Sequence, residues 1–305
     1  MKRITFPFFH RRFFITVVGC VFLFAPLSWL SAAETDVLIV VGPSNHAPGS
    51  HEVAAGGRLM AWCLENAINV KGIRARVVHE WPKDKTILKN VATVVLIGDQ
   101  FPPERLDNSK ANIAELSAMM KRGCGIVCVH YATGLAANHV AEDGEHPLLH
   151  WTGGYFATRC KHHQSVAKIF DATITRATPK HAISRGWETF NIKDEPYTKN
   201  YFGKNGFAPG VVPLATVEFP LDAPKTEVIA WAIERTSGGR GMGVTMPHFY
   251  RNWERDELRT FIMNGIVWSA GREVPADGVQ TSKPDLAKFK PESIDPKPRV
   301  PTKKK

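Results

Sequence analysis

The chain has 305 residues, of which 44% are apolar, and a formal net charge of +10 at pH 7. This is enough apolar sequence to bury one large core or two smaller ones. Residues 1–33 carry +4 and residues 272–305 carry +4, so the body carries only +2. The body has no basic stripe interleaved with aromatic residues, so the sequence predicts no nucleic-acid partner.

The first 33 residues have the features of a secretory signal peptide. Lys2, Arg3 and two further arginines precede an apolar run at Phe13–Leu30, which ends in the small residues Ser31-Ala32-Ala33. This order is typical of a cleaved export signal and predicts a periplasmic or extracellular protein. The apolar run is also just long enough for an uncleaved membrane anchor, which would then be the protein's only membrane contact.

The first half of the body alternates between strand and helix patterns. Buried apolar runs predict four strands, and helical spacing predicts a helix after the first and third of them; in chain order these are Asp36–Val41, helix Glu52–Val70, Ile73–His79, Thr93–Gly98, helix Asn108–Arg122 and the apolar part of Gly123–Gly134. This rhythm predicts an α/β fold with a doubly wound, mostly parallel sheet and helices on both faces, as in flavodoxin-like proteins. No G-x-G-x-x-G or G-x-x-x-x-G-K-[ST] motif is present, so we expect no nucleotide cofactor.

The second half predicts extra antiparallel strands and a final helix. The predicted elements are strands at 166–175, 187–192, 212–219, 227–234 and 241–246, and a helix at 254–270. Residues 272–305 are rich in proline and lysine and have no apolar periodicity, which predicts a disordered tail. The expected organisation is therefore a signal peptide at 1–33, one α/β domain at 34–271 and a tail at 272–305.

Several polar residues follow predicted strands. His130 follows the fourth strand directly, His46 and His51 lie in the loop after the first, and His248 follows the last. Ligands bind beyond the carboxyl ends of strands in such sheets, so His130 is a candidate catalytic residue, with Glu195 as a second. His46, His51 and His248 are candidate ligands of a divalent metal such as Zn²⁺. Without metal, the same set suits acid–base catalysis.

Four aromatic residues are candidate contacts to a sugar. The hydroxyls of Tyr131 and Tyr197 are suited to hydrogen bonding, and the rings of Trp151 and Tyr155 to stacking.

Three of the polar candidates also have a structural interpretation: His46 as a turn residue, His51 as a helix cap and Glu195 as part of a solvated turn. The four cysteines after residue 33 could form disulfides in an exported protein, with three possible full pairings, but we expect buried free thiols. No C-x-x-C motif is present, so a zinc ribbon or a thioredoxin-like motif is not supported.

The order of several motifs resembles that of the ThuA-like family, which is named for trehalose utilisation. The motifs are the histidine loop after the first strand, GIVCVH (125–130), HPLLHWTGGYF (146–156), DEPY (194–197) and GVTMPHF (243–249). The resemblance implies the class I glutamine-amidotransferase-like fold and a link to sugar metabolism. Amidotransferases of this class place a nucleophilic cysteine where this chain has His130, and Cys128 lies inside the strand, so we expect no cysteine-dependent glutamine hydrolysis.

Together these features predict an exported protein that acts on a sugar or an oxidised sugar by hydrolysis, isomerisation or elimination. The alternatives are a noncatalytic carbohydrate-binding module and a partner domain of a larger exported assembly.

Overall fold

The structure is a computed structural model that describes residues 1–2 and 34–298. The predicted signal peptide falls almost entirely on residues 3–33, which lie outside the described residues. Within the part that is described, no helix has both the length and the apolar character needed to cross a membrane. Residues 34–298 lie within one compact unit.

Eleven strands form two sheets in the described residues. They are β1 (Thr35–Val41), β2 (Ile73–Val78), β3 (Val91–Ile97), β4 (Gly125–Val129), β5 (Gly134–Ala136), β6 (Phe156–Thr158), β7 (Phe170–Arg176), β8 (Phe190–Asp194), β9 (Val211–Phe219), β10 (Lys225–Glu234) and β11 (Arg240–Val244). The large sheet has the order β2-β1-β3-β4-β11-β10-β9-β7-β8, and β5 pairs with β6 in a small second sheet. In the large sheet, strands β2, β1, β3, β4 and β11 are parallel and the remaining pairs are antiparallel. The β5–β6 pair of the small sheet is parallel.

The helices cover both faces of the large sheet. They are α1 (Val53–Glu65), α2 (Thr86–Lys89), α3 (Pro102–Arg105), α4 (Ser109–Lys121), α5 (Pro147–Thr152) and α6 (Asp256–Ser269), with short 3-10 turns at 130–133, 182–184, 250–254 and 286–289. Alternate residues of a strand point to opposite faces. Val37 and Ile39 of β1 therefore join the core that contains α1 and α6, whereas Leu38 and Val40 join the core that contains α4. The predicted fold class is confirmed.

Helix α1 is shorter than predicted because its end is used by another part of the chain. It stops at Glu65 instead of Val70. The backbone N–H of Ile68 donates to Gln280, and the Asn69 side chain bonds the backbone of both Gly278 and Gln280. These contacts to the C-terminal segment replace the last helical turn.

The prediction of a disordered tail from residue 272 is wrong for residues 272–298. This segment has no helical or strand periodicity, yet single apolar side chains within it are buried in the main core: Val274, Val279, Leu286 and Phe289. Polar contacts fix the segment as well, since the Arg58 guanidinium donates to the carbonyls of Phe289 and Lys290. Residues 299–305 lie outside the described part of the chain.

The burial of Leu286 can be tested against a neighbour in the same turn. Leu286 is 2% exposed, so Leu286→Ala should lower the free energy of unfolding by about 2–5 kcal/mol through lost burial and a residual cavity. Lys288→Ala, at an exposed position two residues away, should change it by less than about 0.5 kcal/mol. Urea unfolding of both variants measures the difference. Equal, small effects would mean that the segment is not packed as described.

Candidate metal centre

Four adjacent parallel strands bring polar side chains to one edge of the large sheet. His46 and His51 follow β1, Asp99 follows β3, His130 follows β4 directly, and His248 follows β11. Because β1, β3, β4 and β11 are neighbours with the same direction, their carboxyl ends converge. Each of these side chains contacts at least one other of the set.

Three imidazole nitrogens meet at the centre of this group. His51 Nε2 lies 2.7 Å from His130 Nε2 and 2.9 Å from His248 Nδ1, and His130 Nε2 lies 3.2 Å from His248 Nδ1. A carboxylate oxygen of Glu195 lies 3.2 Å from the same His248 nitrogen. The four side chains form a set of donors able to hold one metal ion.

The outer nitrogens of two of these rings fix which tautomer faces the centre. His51 Nδ1 donates to Asp99 Oδ1 at 2.6 Å, and His130 Nδ1 donates to the carbonyl oxygen of Thr245 at 2.8 Å. Carboxylates and carbonyls only accept hydrogen bonds. In the neutral rings, both Nε2 atoms therefore carry lone pairs, and these lone pairs face each other across 2.7 Å.

Burial keeps His51 and His130 neutral. His51, His130 and His248 are all less than 9% exposed. Burial lowers the pKa of His51 from 6.5 to about 4, although its hydrogen bond to Asp99 opposes the shift. Burial, reinforced by the neighbouring His51 and His248, lowers the pKa of His130 well below 6.5. Neutral imidazole is the form that binds metals.

Asp99 orients the histidines and is a site residue that the sequence reasoning missed. Its carboxylate accepts from His51, from His46 Nδ1 at 2.9 Å and from the backbone N–H of Asn45 at 2.9 Å. Burial alone would raise the pKa of Asp99, but the hydrogen bonds from His46 and His51 outweigh it and hold the pKa well below its ordinary value. Asp99 follows the buried strand β3 just as His130 follows β4, and that position was the available signal.

Asp194 fixes the position of His248 through its backbone. This fully buried carboxylate accepts from the backbone N–H groups of His248 and Glu195, at 2.8 and 2.6 Å, and from the Asn252 amide at 2.5 Å. It therefore ties the end of β8 to the segment after β11. The sequence analysis selected only its neighbour Glu195 as a candidate.

Both His51 and His130 have left-handed backbone conformations, with φ of +47° and +51°. Such conformations are unfavourable for residues with a Cβ and persist where the surroundings fix them, commonly at functional sites. At His130 the left-handed residue ends β4 and begins a 3-10 turn, which turns the imidazole toward the histidines from other strands.

Of the four predicted sugar contacts, Tyr131 and Tyr197 lie at the centre. Tyr197 stacks on His130, with ring centroids 4.6 Å apart, and its hydroxyl lies 3.1 Å from His130 Nε2. Burial raises the pKa of Tyr197 well above 10, so its hydroxyl stays protonated. The half-buried Tyr131 ring lies 6.2 Å from the ring of His46, which is also partly exposed.

Trp151 and Tyr155 are not brought to the histidines. Trp151 packs near Phe101 and lines a separate cavity of about 640 Å³, and the Tyr155 hydroxyl bonds His162 and the carbonyl of Gly144. The cavity beside the three central histidines is only about 20 Å³, room for about one water-sized particle. The larger cavities lie elsewhere on the described surface, whereas this small one is lined by the three histidines whose nitrogens converge.

The family assignment rests on this fold and on a match along the chain. Residues 36–269 match the ThuA family, which is described as trehalose utilisation. The chain belongs to the ThuA family. No curated protein matches it.

Solved structures support the fold. A ThuA-like protein from Bacteroides uniformis is 15% identical, with a TM-score of 0.57 over 82% of this chain and 96% of that one. One from Parabacteroides merdae is 15% identical, with a TM-score of 0.51 over 81% and 95%. A glutamine amidotransferase from Thermotoga maritima is 9% identical, with a TM-score of 0.42 over 78% and 98%, too distant to carry an argument.

The cysteines are buried and free, as predicted, in the part of the chain that is described. Cys128 lies inside β4 with no exposure, and burial raises its pKa far above the ordinary value of a thiol. A thiol held in this state is a poor nucleophile. The residue at the strand end is His130.

The lowered histidine pKa values predict how stability depends on pH. Between pH 6.5 and 4 the unfolded chain binds a proton at His51 that the folded chain excludes, so the free energy of unfolding should fall as the pH falls. His51 alone should account for about 3 kcal/mol across this window. Protonation of Asp99 lowers the free energy of unfolding only when the pH falls below the ordinary Asp pKa of 3.8.

Urea unfolding at pH 7 and pH 4.5, in the presence of a chelator, measures this slope. His51→Gln should flatten it, whereas His150→Gln, at an exposed histidine, should not. An equal slope in the parent and His51→Gln would contradict the neutral, buried assignment of His51.

Proposed function

We propose that this ThuA-family chain is an exported, divalent-metal-dependent enzyme that acts on a sugar or an oxidised sugar. The family description, trehalose utilisation, supports the substrate class. Export is supported by the basic, apolar and small-residue pattern of residues 1–33. The metal is supported by the geometry of the three central histidines.

One observation carries the metal proposal: the facing lone pairs of His51 Nε2 and His130 Nε2, 2.7 Å apart. Two acceptors at this distance repel each other unless positive charge lies between them. Around a tetrahedral Zn²⁺ with bonds of about 2.05 Å, neighbouring ligand nitrogens lie about 3.3 Å apart. The observed spacings of 2.7, 2.9 and 3.2 Å need only a slight expansion to reach that geometry.

The chain's own residues divide the work in this proposal. His51, His130 and His248 hold the ion, with Asp99 and the Thr245 carbonyl fixing two of the rings from outside. The bound ion supplies Lewis-acid polarisation of a sugar carbonyl or hydroxyl oxygen. Glu195, 17% exposed at its side chain, is the carboxylate placed to accept a proton from a substrate hydroxyl or a water.

His130 therefore has a different role from the proton transfer predicted from the sequence. Its inner nitrogen, Nε2, faces His51 Nε2, and its outer nitrogen, Nδ1, donates to the carbonyl of Thr245. Tyr197 donates toward the same inner nitrogen and is placed to donate to a substrate oxygen instead. Tyr131 and His46, which are both partly exposed, form the side of the centre from which a sugar would approach.

The second candidate is a metal-free acid–base centre. A proton shared between His51 and His130 would also relieve the repulsion of their lone pairs. The lowered pKa values of both rings disfavour this state near neutral pH. A noncatalytic sugar-binding module would have no need of three buried imidazoles directed at one point.

Metal binding is tested by comparing the purified parent protein with the His130→Ala variant. The parent should take up close to one equivalent of Zn²⁺, and His130→Ala should weaken the affinity by more than about 100-fold because it removes a ligand. His150→Ala, at an exposed histidine, is the matched control. Calorimetric titration with Zn²⁺ and elemental analysis measure both. Absence of uptake of Zn²⁺, Mn²⁺ or Ni²⁺ by the parent would refute the proposal.

Asp99 gives a second test, because in this proposal it positions His51 and does not bind the ion itself. Asp99→Asn should lower Zn²⁺ affinity by about 10- to 100-fold, since the amide cannot accept from both His46 and His51 as the carboxylate does. Asp84→Asn, at an exposed carboxylate, should leave the affinity unchanged. The same titration compares the two, and equal affinities would show that Asp99 does not orient His51.

A further inference from the structure

The C-terminal segment lies against the loop that carries His51. We define residues 286–297 as the C-terminal strap. The backbone N–H of Lys297 donates to the carbonyl of Pro48 at 2.9 Å. The Glu52 carboxylate, directly after His51, accepts from the backbone N–H groups of Glu292 and Ser293 at 2.9 and 3.0 Å.

We propose that Glu52 and the C-terminal strap form a clamp that positions His51 for metal binding. This inference rests on the proposed metal function. Glu52 is a positioning residue in it, since its carboxylate touches backbone groups and not the centre. One Glu52 oxygen accepts from both the strap and the N–H of Gly49, at 2.8 Å, so a single side chain joins the two segments.

Gly49 shows how closely the two segments approach. Its φ is +83°, and a Cβ built on it would overlap the carbonyl of Asp295 in the strap. Glycine is therefore required twice here, for the left-handed backbone and for the contact. The strap lies directly on the loop, with no side chain between them at this point.

The clamp also contacts the segment that carries His248. The Tyr250 hydroxyl donates to the carbonyl of Leu286 in the strap, and the Tyr250 N–H donates to the carbonyl of Gly49. The N–H of His51 donates to the carbonyl of His248 at 2.9 Å. The His51 loop is thus held between the strap on one side and the His248 segment on the other.

This holding matters because His51 has a strained backbone. Its φ of +47° is unfavourable for a residue with a Cβ, and such a conformation persists only where its surroundings over-determine it. The strap itself is anchored by Phe289, which packs edge-on to Trp62, and by the Arg58 guanidinium. It lies beyond residue 269, where the family match ends.

The first test compares two glycines that have nearly the same positive φ. Gly49→Ala adds a methyl group that meets the strap, whereas Gly206→Ala, at φ +80°, adds one with no atom within 4 Å. Both carry the cost of a left-handed alanine, so the difference between them reports the strap contact. We expect Gly49→Ala to lower Zn²⁺ affinity at least about tenfold relative to Gly206→Ala.

The visible spectrum of the Co²⁺-loaded protein should also change in Gly49→Ala alone, because it reports coordination geometry rather than stability. Equal affinities and identical spectra in the two variants would overturn the clamp.

The second test needs no metal and keeps the fold intact. Glu52→Gln weakens acceptance from the three N–H groups. Glu65→Gln, at the other end of helix α1, is the control: it removes the charge of a carboxylate that accepts from one N–H group, that of Ala75. We expect amide hydrogen exchange at Gly49 and His51 to be faster in Glu52→Gln than in the parent or Glu65→Gln. Unchanged exchange would overturn the clamp. If the parent binds no ion, the proposed function fails, and this exchange result decides the clamp by itself.

Discussion

The centre of this protein depends on the contact between His51 Nε2 and His130 Nε2. Each ring is fixed from outside by an acceptor, so each presents a lone pair to the other. The chain contains a useful contrast. At Glu104, His146 accepts from the N–H of Leu148 through Nδ1 and therefore directs its Nε2–H at the carboxylate. The His146–Glu104 pair is satisfied by a proton it already has, whereas no proton lies between the facing nitrogens of His51 and His130.

Much of the structure serves to keep those two rings in place against their repulsion. Asp99 and the Thr245 carbonyl hold the outer nitrogens, and left-handed backbone turns point both side chains inward. Burial removes the water that would otherwise solvate the lone pairs and keeps the rings neutral. These constraints around an unfavourable contact are the basis of the proposed metal site, because a cation between the two nitrogens would replace their repulsion with attraction.

The fold and the position of the centre were readable from the sequence, because buried strands are short apolar runs and their ends are marked by polar residues. His130 and His248 were found in this way, and Asp99 satisfied the same rule. Trp151 and Tyr155 were chosen by side-chain type alone, and that choice cannot show which end of the sheet a residue faces. The ordered segment 272–298 was missed because its apolar side chains, Val274, Val279, Leu286 and Phe289, are buried one at a time, without a period to detect.

The place of β11 in the sheet has a consequence for how the protein folds. It is the last strand of the described residues, yet it is inserted between β4 and β10, in the middle of the sheet. His248 thus meets His51 across 197 residues of sequence. Contacts of such long range form late, because the loop between them must first be closed. A nascent chain cannot assemble the centre until its final strand has been added, so metal capture would mark the completion of folding rather than begin it.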